Sequence, residues 1–521
     1  VSSSGGWEAH RLRDQLVARG FADDGVHLRG PLPWVHPALG GGVARVEIEL
    51  DERFPFAPPK VRVLDPGQPL EMTFHIDRPA RPGTWGNLCL WADDWPADQA
   101  PWVDPDELLA RVAGWLEQTA AGWPDDDICD LERYLEPDCA TLVLYDAEKL
   151  AQLAGVAVRT EVGPTPVAVI VTNATRHVKA AFGRRRLGRK DRRLAWVDDL
   201  GEVHRPVRGW QDIEEALGER AGVLARYITL GVVDLLLLRY QRGLQRSVLA
   251  LTVRRVAGGI HVRSCESADT STRTRRLRAG AAASELADVK IAIVGCGAVG
   301  SFAAAELFRS GVRHLTLIDH ERLRPGNVVR HLAGATQVGS WKSEAVRSCL
   351  ADIDADVAAV RARVAMVATV TEAIGLLRNH HIVLDATGSA RASSLLAFSA
   401  SKMGTGSGRV VISACVQREG DIVRVDRLPP RGGETYLPPL PIVEDDDRLQ
   451  EGGCGDPVSR TPPGAVIAAA GLACLVVIDE ATGACTLPAS LVDVRGVQPE
   501  PPYTRLGLVL SQPSPEKRVV A

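Results

Sequence analysis

Three glycines, five polar side chains and two cysteines carry the chemistry open to this sequence. In VKIAIVGCGAVG (289–300), Gly295, Gly297 and Gly300 end a run of β-branched residues and open a segment with helical apolar spacing. Glycine at the first two positions permits a tight turn and lets a phosphate approach the backbone, while Gly300 lets the helix lie close to the strand. The helix N-terminus then faces the anion. A nicotinamide, a flavin or ATP would each suit such a turn, so the next residues must decide. Asp319 follows a second strand, His314 to Ile318, where a carboxylate would grip ribose hydroxyls. Asn327, Arg330 and Lys342 come close behind, and a cationic pair there suits a triphosphate better than a nicotinamide. Asp385 ends a third strand, His381 to Leu384, at the carboxyl edge of the sheet where ligands of such folds bind.

The sulfur chemistry is spread more thinly. The ten cysteines form no CxxC pair, which gives neither a disulfide framework nor a zinc ribbon and points to a reducing cytoplasm. Cys454 lies between glycines just ahead of a helix beginning near Gly464, the exposed loop setting a reactive thiol needs. Cys415 and Cys474 fall inside apolar strand and helix patterns and read as core, and Cys296 as a small residue tolerated in the glycine turn. Cys129 and Cys139 carry no assigned chemistry. Cys89 sits in GNLCLW, flanked by Leu88 and Leu90, with His75 and Asn87 nearby in sequence and Asp93 and Asp94 just beyond.

The elements that must position these residues divide the chain in three: an α+β domain over 1–139, a connecting α+β domain over 140–284, and a Rossmann-like α/β domain over 285–521. Residues 7–19 have helical spacing, Val43 to Leu50 alternates as a half-buried strand, and the prolines of FPFAPP interrupt extended chain that resumes at Lys60. Asp104 and Pro105 cap and start a further helix. The stretch Leu230 to Leu238 reads as a buried helix, and no apolar run reaches the roughly 18 residues of a membrane span. No signal-peptide pattern opens the chain. A net charge of −4 argues against general attraction to nucleic acid or membranes. The basic run from Arg176 to Arg193 reads as a solvated loop.

In their order, GxGxxG, Asp319, Asn327 with Arg330, Lys342 and Asp385, the residues from about 286 to 475 resemble the adenylating domain of the ThiF and ubiquitin-activating enzyme family. That resemblance implies that the glycines and Asp319 hold ATP, that Asn327, Arg330 and Lys342 handle its phosphates, and that Asp385 helps bind Mg²⁺. It makes Cys454 the activating-domain cysteine, and it implies a homodimer in which one of Arg275, Arg276 and Arg278 reaches the partner's nucleotide. FPFAPP, His75, GNLCLW and Trp95-Pro96 make residues 5–135 resemble a bacterial ubiquitin-conjugating-enzyme-like domain, with Cys89 carrying a thioester. The eukaryotic His-Pro-Asn triplet is missing, leaving His75 and Asn87 as substitutes by proximity in sequence.

The whole is similar to the bacterial activating/conjugating fusions of CBASS antiphage operons. These attach the C-terminus of a cyclic-oligonucleotide-synthesising nucleotidyltransferase to an acceptor amine. The same chemistry on a bacterial ubiquitin-like protein is an alternative, and ThiF-like sulfur-carrier activation would leave residues 1–135 unexplained. An NAD(P)-binding oxidoreductase would leave Arg330, Lys342 and Cys454 idle, and a non-enzymatic scaffold would need no nucleophile.

Overall fold

The computed structural model describes residues 4–38, 40–70, 74–78, 85–91, 95–96, 98–162, 168–172, 194–403, 408–441, 458–496 and 501–512. Cys454, Asp93, Asp94 and the whole basic run 176–193 lie outside them. The chain forms two compact units, Val1–Ser271 and Thr272–Ala521.

The first unit opens with helix α1 (Ser4–Ala18) and four antiparallel strands, β1 (Ala22–Asp23), β2 (His27–His36), β3 (Gly40–Glu49) and β4 (Lys60–Asp65), paired in that order. Alternation along β2 and β3 turns Leu28, Leu32, Trp34, Ala44, Val46 and Ile48 inward. Helix α2 (Pro105–Ala121) lays Leu108, Val112, Trp115 and Leu116 on that face. Asp104 caps it, accepting from the backbone N–H groups of Asp106 and Glu107 at 2.8 and 3.1 Å, and Gly122 ends it in the left-handed region. Asp104→Ala should cost about 1 kcal/mol in urea unfolding of full-length protein followed by tryptophan fluorescence. A change below the error of the curve would mean that the bond to Asp104 is replaced by water.

Strands β5 (Pro137–Tyr145), β6 (Val156–Val162), β7 (Ala168–Thr172), β8 (Leu194–Glu202), β9 (Leu235–Arg242), β10 (Gln245–Val256) and β11 (Gly259–Asp269) close a barrel in the order β10-β11-β5-β7-β6-β8-β9. Helices α3 (Ala147–Leu150), α4 (Trp210–Leu217) and α5 (Glu219–Thr229) complete the unit. Val143, Val158, Ala195, Val197, Leu235, Leu237, Val248 and Ala250 fill one cluster; Trp196, Leu236, Leu238, Tyr240, Leu249 and Leu251 join the core of the four-stranded sheet. One apolar core therefore runs across the border expected at 139/140. It also corrects the helix expected over 230–238. Leu235 to Leu238, the leucines of β9, are buried on both faces of the strand, and a continuous leucine run does not distinguish strand from helix.

The second unit begins with α6 (Thr272–Arg278) and α7 (Ala283–Leu286), followed by β12 (Lys290–Val294), α8 (Ala298–Arg309), β13 (His314–Ile318), α9 (Lys342–Ile353), β14 (Arg361–Arg363) and α10 (Val370–Asn379). Then come β15 (Ile382–Asp385), α11 (Ala390–Met403), β16 (Val410–Gln417), β17 (Ile422–Leu428), α12 (Pro463–Ala481), β18 (Ser490–Val494) and β19 (Gly507–Leu510). They form one sheet in the order β14-β13-β12-β15-β16-β17-β18-β19. The first five strands are parallel and the remainder antiparallel. Ile291 and Ile293 face α8, α9 and α12; Ala292 and Val294 face α10 and α11. This is a doubly wound Rossmann-type α/β sheet whose strand order reverses between β12 and β15, the switch point where ligands of such sheets bind. Helix α12 corrects the expectation about apolar length: its 19 residues are long and apolar enough to cross a membrane. Ala470, Ala473, Cys474 and Val477 instead pack it against α8 and the sheet.

Candidate functional site

A cavity of about 640 Å³ opens at the switch point, beyond the carboxyl ends of β12, β13 and β15. Its floor is the glycine turn. Gly295 has φ +89°, and a Cβ there would lie 2.8 Å from the carbonyl oxygen of Ala386. A Cβ on Gly300 would fall 1.9 Å from the carbonyl oxygen of Gly295, whereas one on Gly297 would meet nothing within 4 Å. The first and third glycines thus allow strand, turn and helix to touch, and Gly297 leaves room over the α8 N-terminus for a phosphate.

Asp319 ties the turn to the second strand. Its Oδ2 accepts from the Cys296 N–H at 2.8 Å and its Oδ1 from the Glu321 N–H at 2.8 Å, and the carboxylate lines the cavity. Asn327, Arg330 and Lys342 line the same cavity. Arg330 Nη1 donates to the Ser459 carbonyl at 2.6 Å, and Asn327 Oδ1 accepts from the Arg324 N–H at 3.0 Å. Lys342 Nζ pairs with Glu321, a bond that, with the lysine charge, holds the glutamate below its ordinary value against burial. His331, which sequence spacing did not single out, also faces the cavity. Burial pushes its pKa down, and a neutral ring fits its bonds to the Cys296 carbonyl and the Ala333 N–H.

Asp385 lies beneath the cavity and is absent from its lining. It is 1% exposed. Its Oδ1 accepts from the Thr387 N–H and hydroxyl, and its Oδ2 from the hydroxyls of Ser393 and Ser413. With both oxygens engaged, it fits a brace for the β15 loop better than an open ligand for Mg²⁺. Among the described residues no cluster of three His, Cys, Asp or Glu side chains could hold a metal. Of the arginines weighed at the start of this unit, Arg275 pairs with Asp354 at 3.0 Å.

Cys415, expected in the core, is half-buried on the cavity wall, where burial pushes its thiol up to about 11; burial also raises Cys296 and Cys474 well above the ordinary thiol value. None of the three supplies a thiolate at neutral pH.

A second cluster of ionisable side chains lies in the first unit. The Cys89 thiol is half-buried, and its interaction with the neighbouring His75 imidazole lowers its pKa; burial opposes the shift and Arg133 adds to it, with Arg133 Nη1 3.4 Å from the sulfur. His75 Nε2 meets Asp126 Oδ2 at 2.5 Å. Burial alone would lower the His75 pKa, but its bonds to Cys89 and Asp126 win and raise it. Asp126, which burial would raise, is brought below its ordinary value by the bond to His75, the Ile128 N–H and the charge of Arg242. Asn87 is turned elsewhere, its Oδ1 accepting from Arg62 Nε at 2.8 Å.

Residues 273–481 match the model of the ThiF family. A stretch of 68 residues is 50% identical to uncharacterized protein y4oA of Sinorhizobium fredii, covering 13% of this chain and 12% of that one. Over 127 residues the chain is 33% identical to the ATP-dependent ubiquitin transferase-like protein Cap2 of Enterobacter hormaechei subsp. hoffmannii, covering 24% and 20%. Over 70 residues it is 40% identical to ubiquitin-like modifier-activating enzyme 5 of Arabidopsis thaliana, covering 13% and 16%. The matched stretches therefore span no more than a fifth of these relatives' own lengths. The glycine turn, the switch-point cavity and the family match coincide in one place: residues 273–481 form a domain of the ThiF family.

Proposed function

We propose that this chain uses ATP to adenylate the carboxyl terminus of a protein, takes the acyl group onto Cys454 and then Cys89, and conjugates it to an amine. The observation that carries this reading is the convergence of Gly295, Gly297, Asp319, Asn327, Arg330 and Lys342 on one cavity. Attack of a carboxylate on the α-phosphate brings anions together, and Arg330 and Lys342 supply fixed positive charge where they meet. The carboxylate oxygen bonds to phosphorus as the bond to pyrophosphate breaks. A thiolate then displaces AMP from the acyl carbon, and each later transfer exchanges one activated acyl link for another. Mg²⁺ would travel with the triphosphate and offset its charge, and Asp385, with its oxygens engaged, would act on it only through the loop it braces.

The likeness to the Cap2 protein favours the CBASS setting; a nucleotidyltransferase C-terminus as the substrate and residues 1–139 as a conjugating-enzyme-like domain rest on the sequence resemblance. A bacterial ubiquitin-like protein is the second reading, favoured by the likeness to the modifier-activating enzyme. A homodimer through residues 285–521 and a cytoplasmic setting complete it. The nine cysteines described are all free thiols, which suits a reducing compartment.

The test is exchange of labelled pyrophosphate into ATP, driven by C-terminal peptides of candidate proteins. Exchange with one peptide and none with its amidated form is expected. Cys89→Ala should keep full exchange yet lose conjugation to below about 1% of wild type. Exchange absent with every peptide would overturn the adenylation; normal conjugation by Cys89→Ala would remove that cysteine from the path.

A further inference from the structure

We propose that Cys89, His75 and Asp126 work as one cysteine–histidine–aspartate relay, braced by Arg242, in which His75 carries the proton of both the incoming thiol and the attacking amine. The placement of His75, Asp126 and Arg133 around Cys89 is independent of the reading above; only the use of the thiol in acyl transfer rests on it.

Three backbone bonds and two ring contacts fix His75. The His75 N–H donates to the Tyr134 hydroxyl at 2.9 Å, and its carbonyl accepts from the Cys89 N–H at 2.9 Å and from Trp115 Nε1 at 2.8 Å. The ring packs on Trp123 with centroids 4.3 Å apart. Its φ of +58° is uncommon for a residue other than glycine, and holding it there costs on the order of 1 kcal/mol or more that these contacts must offset. Asp126 takes Nε2, which leaves Nδ1 for the sulfur. Asp126 is itself held by Arg242 of β9, whose Nη1 donates to the Ile128 carbonyl at 3.0 Å and whose guanidinium lies 3.3 Å from the Phe74 ring centroid. A residue of the barrel thus orients the carboxylate that orients the base. The other described charges around the sulfur are Arg133 and its partners Asp130 at 2.9 Å and Asp77 at 3.4 Å.

The protons balance over a full cycle. In the proposed cycle the sulfur starts as a thiolate and His75 as an imidazolium. The thiolate attacks a donor thioester; the new C–S bond forms, the old one breaks, and His75 protonates the departing thiolate. Neutral His75 then takes a proton from the amine as its nitrogen attacks the Cys89 thioester. The C–N bond forms, the C–S bond breaks, and Cys89 leaves as thiolate opposite imidazolium. The two groups shift toward each other, the Cys89 thiol down and the His75 imidazole up: acid protonates the sulfur, and alkali takes the imidazolium proton.

The experiment uses the full chain and bypasses ATP. First, iodoacetamide alkylation of Cys89 is followed by peptide mass spectrometry against pH. Wild type should react at half its maximal rate well below pH 9.0, the ordinary thiol value. His75→Asn, chosen because asparagine tolerates positive φ, should move that midpoint up, and so should Asp126→Asn and Arg242→Met. Second, Cys89 is loaded from a small acyl thioester and its aminolysis by lysine timed. Loss of His75 should slow aminolysis by about 10²-fold or more. Far-ultraviolet circular dichroism identifies any variant that fails to fold, and Arg133→Met tests the electrostatic share with His75 intact. A wild-type midpoint near 9.0, or one unmoved in folded His75→Asn and Asp126→Asn, would overturn the relay. Because no nucleotide is used, failure of adenylation leaves this result unaffected.

Discussion

Lys342→Met is expected to lower peptide-driven pyrophosphate exchange by about 10³-fold while leaving the fold intact. Lys342 is 9% exposed on the cavity wall and pairs with Glu321, whose side chain is 58% exposed. The pair adds little to stability, because one partner is well solvated. Its effect on a bound triphosphate is larger. A cation about 4 Å from a phosphate oxygen, at an effective dielectric near 20, is worth about 4 kcal/mol, which is about 10³ in rate if the charge gathers in the transition state. Removing the lysine also leaves the Glu321 carboxylate facing the phosphates unopposed. Glu321→Gln should therefore restore part of the activity to Lys342→Met, a rescue that general loss of structure would not give. Exchange within tenfold of wild type in Lys342→Met would mean that this lysine does not meet the triphosphate.

Gly300→Ala is expected to destabilise residues 272–521 by about 3 kcal/mol or more, although alanine is ordinarily favoured over glycine within a helix by about 1 kcal/mol. The sign reverses because the added carbon would sit 1.9 Å from the Gly295 carbonyl oxygen and 3.2 Å from the Ala386 side chain. Backbone of the glycine turn is on one side and the short Ala386 side chain, just past β15, on the other, so neither yields cheaply. Gly471→Ala, in the middle of α12, is the matched control. Its new carbon would meet only Glu306 Oε2 at 3.8 Å, and it should stabilise by about 0.5–1 kcal/mol. Urea unfolding of the two variants distinguishes the cases. A neutral Gly300→Ala would show that helix α8 can shift away from the sheet.

The cluster at the switch-point cavity was legible in the sequence because parallel strands joined by short helices put successive strand ends at one edge of a sheet. The order Gly295, Asp319, Lys342 along the chain then becomes neighbourhood in space. Cys89 offers the contrast. His75 was a candidate only through proximity in sequence, Asn87 was equally eligible, and nothing marked Asp126 or Arg242. These last two stand 51 residues from His75 and 116 residues from Asp126 respectively. No local period or motif carries such a separation.

The amino-acid order by itself determined the parallel α/β sheet, its glycine turn and the polar residues around a nucleotide-sized cavity, because local backbone preferences and strand-end geometry act over short stretches of chain. Tertiary structure alone decided that Asp385 is sealed under four hydrogen bonds, that the leucine run is a strand buried on both faces, and that a barrel arginine steadies the carboxylate behind His75. Each of these depends on which distant surfaces come together to exclude water, and burial of that kind leaves no periodic trace in the sequence.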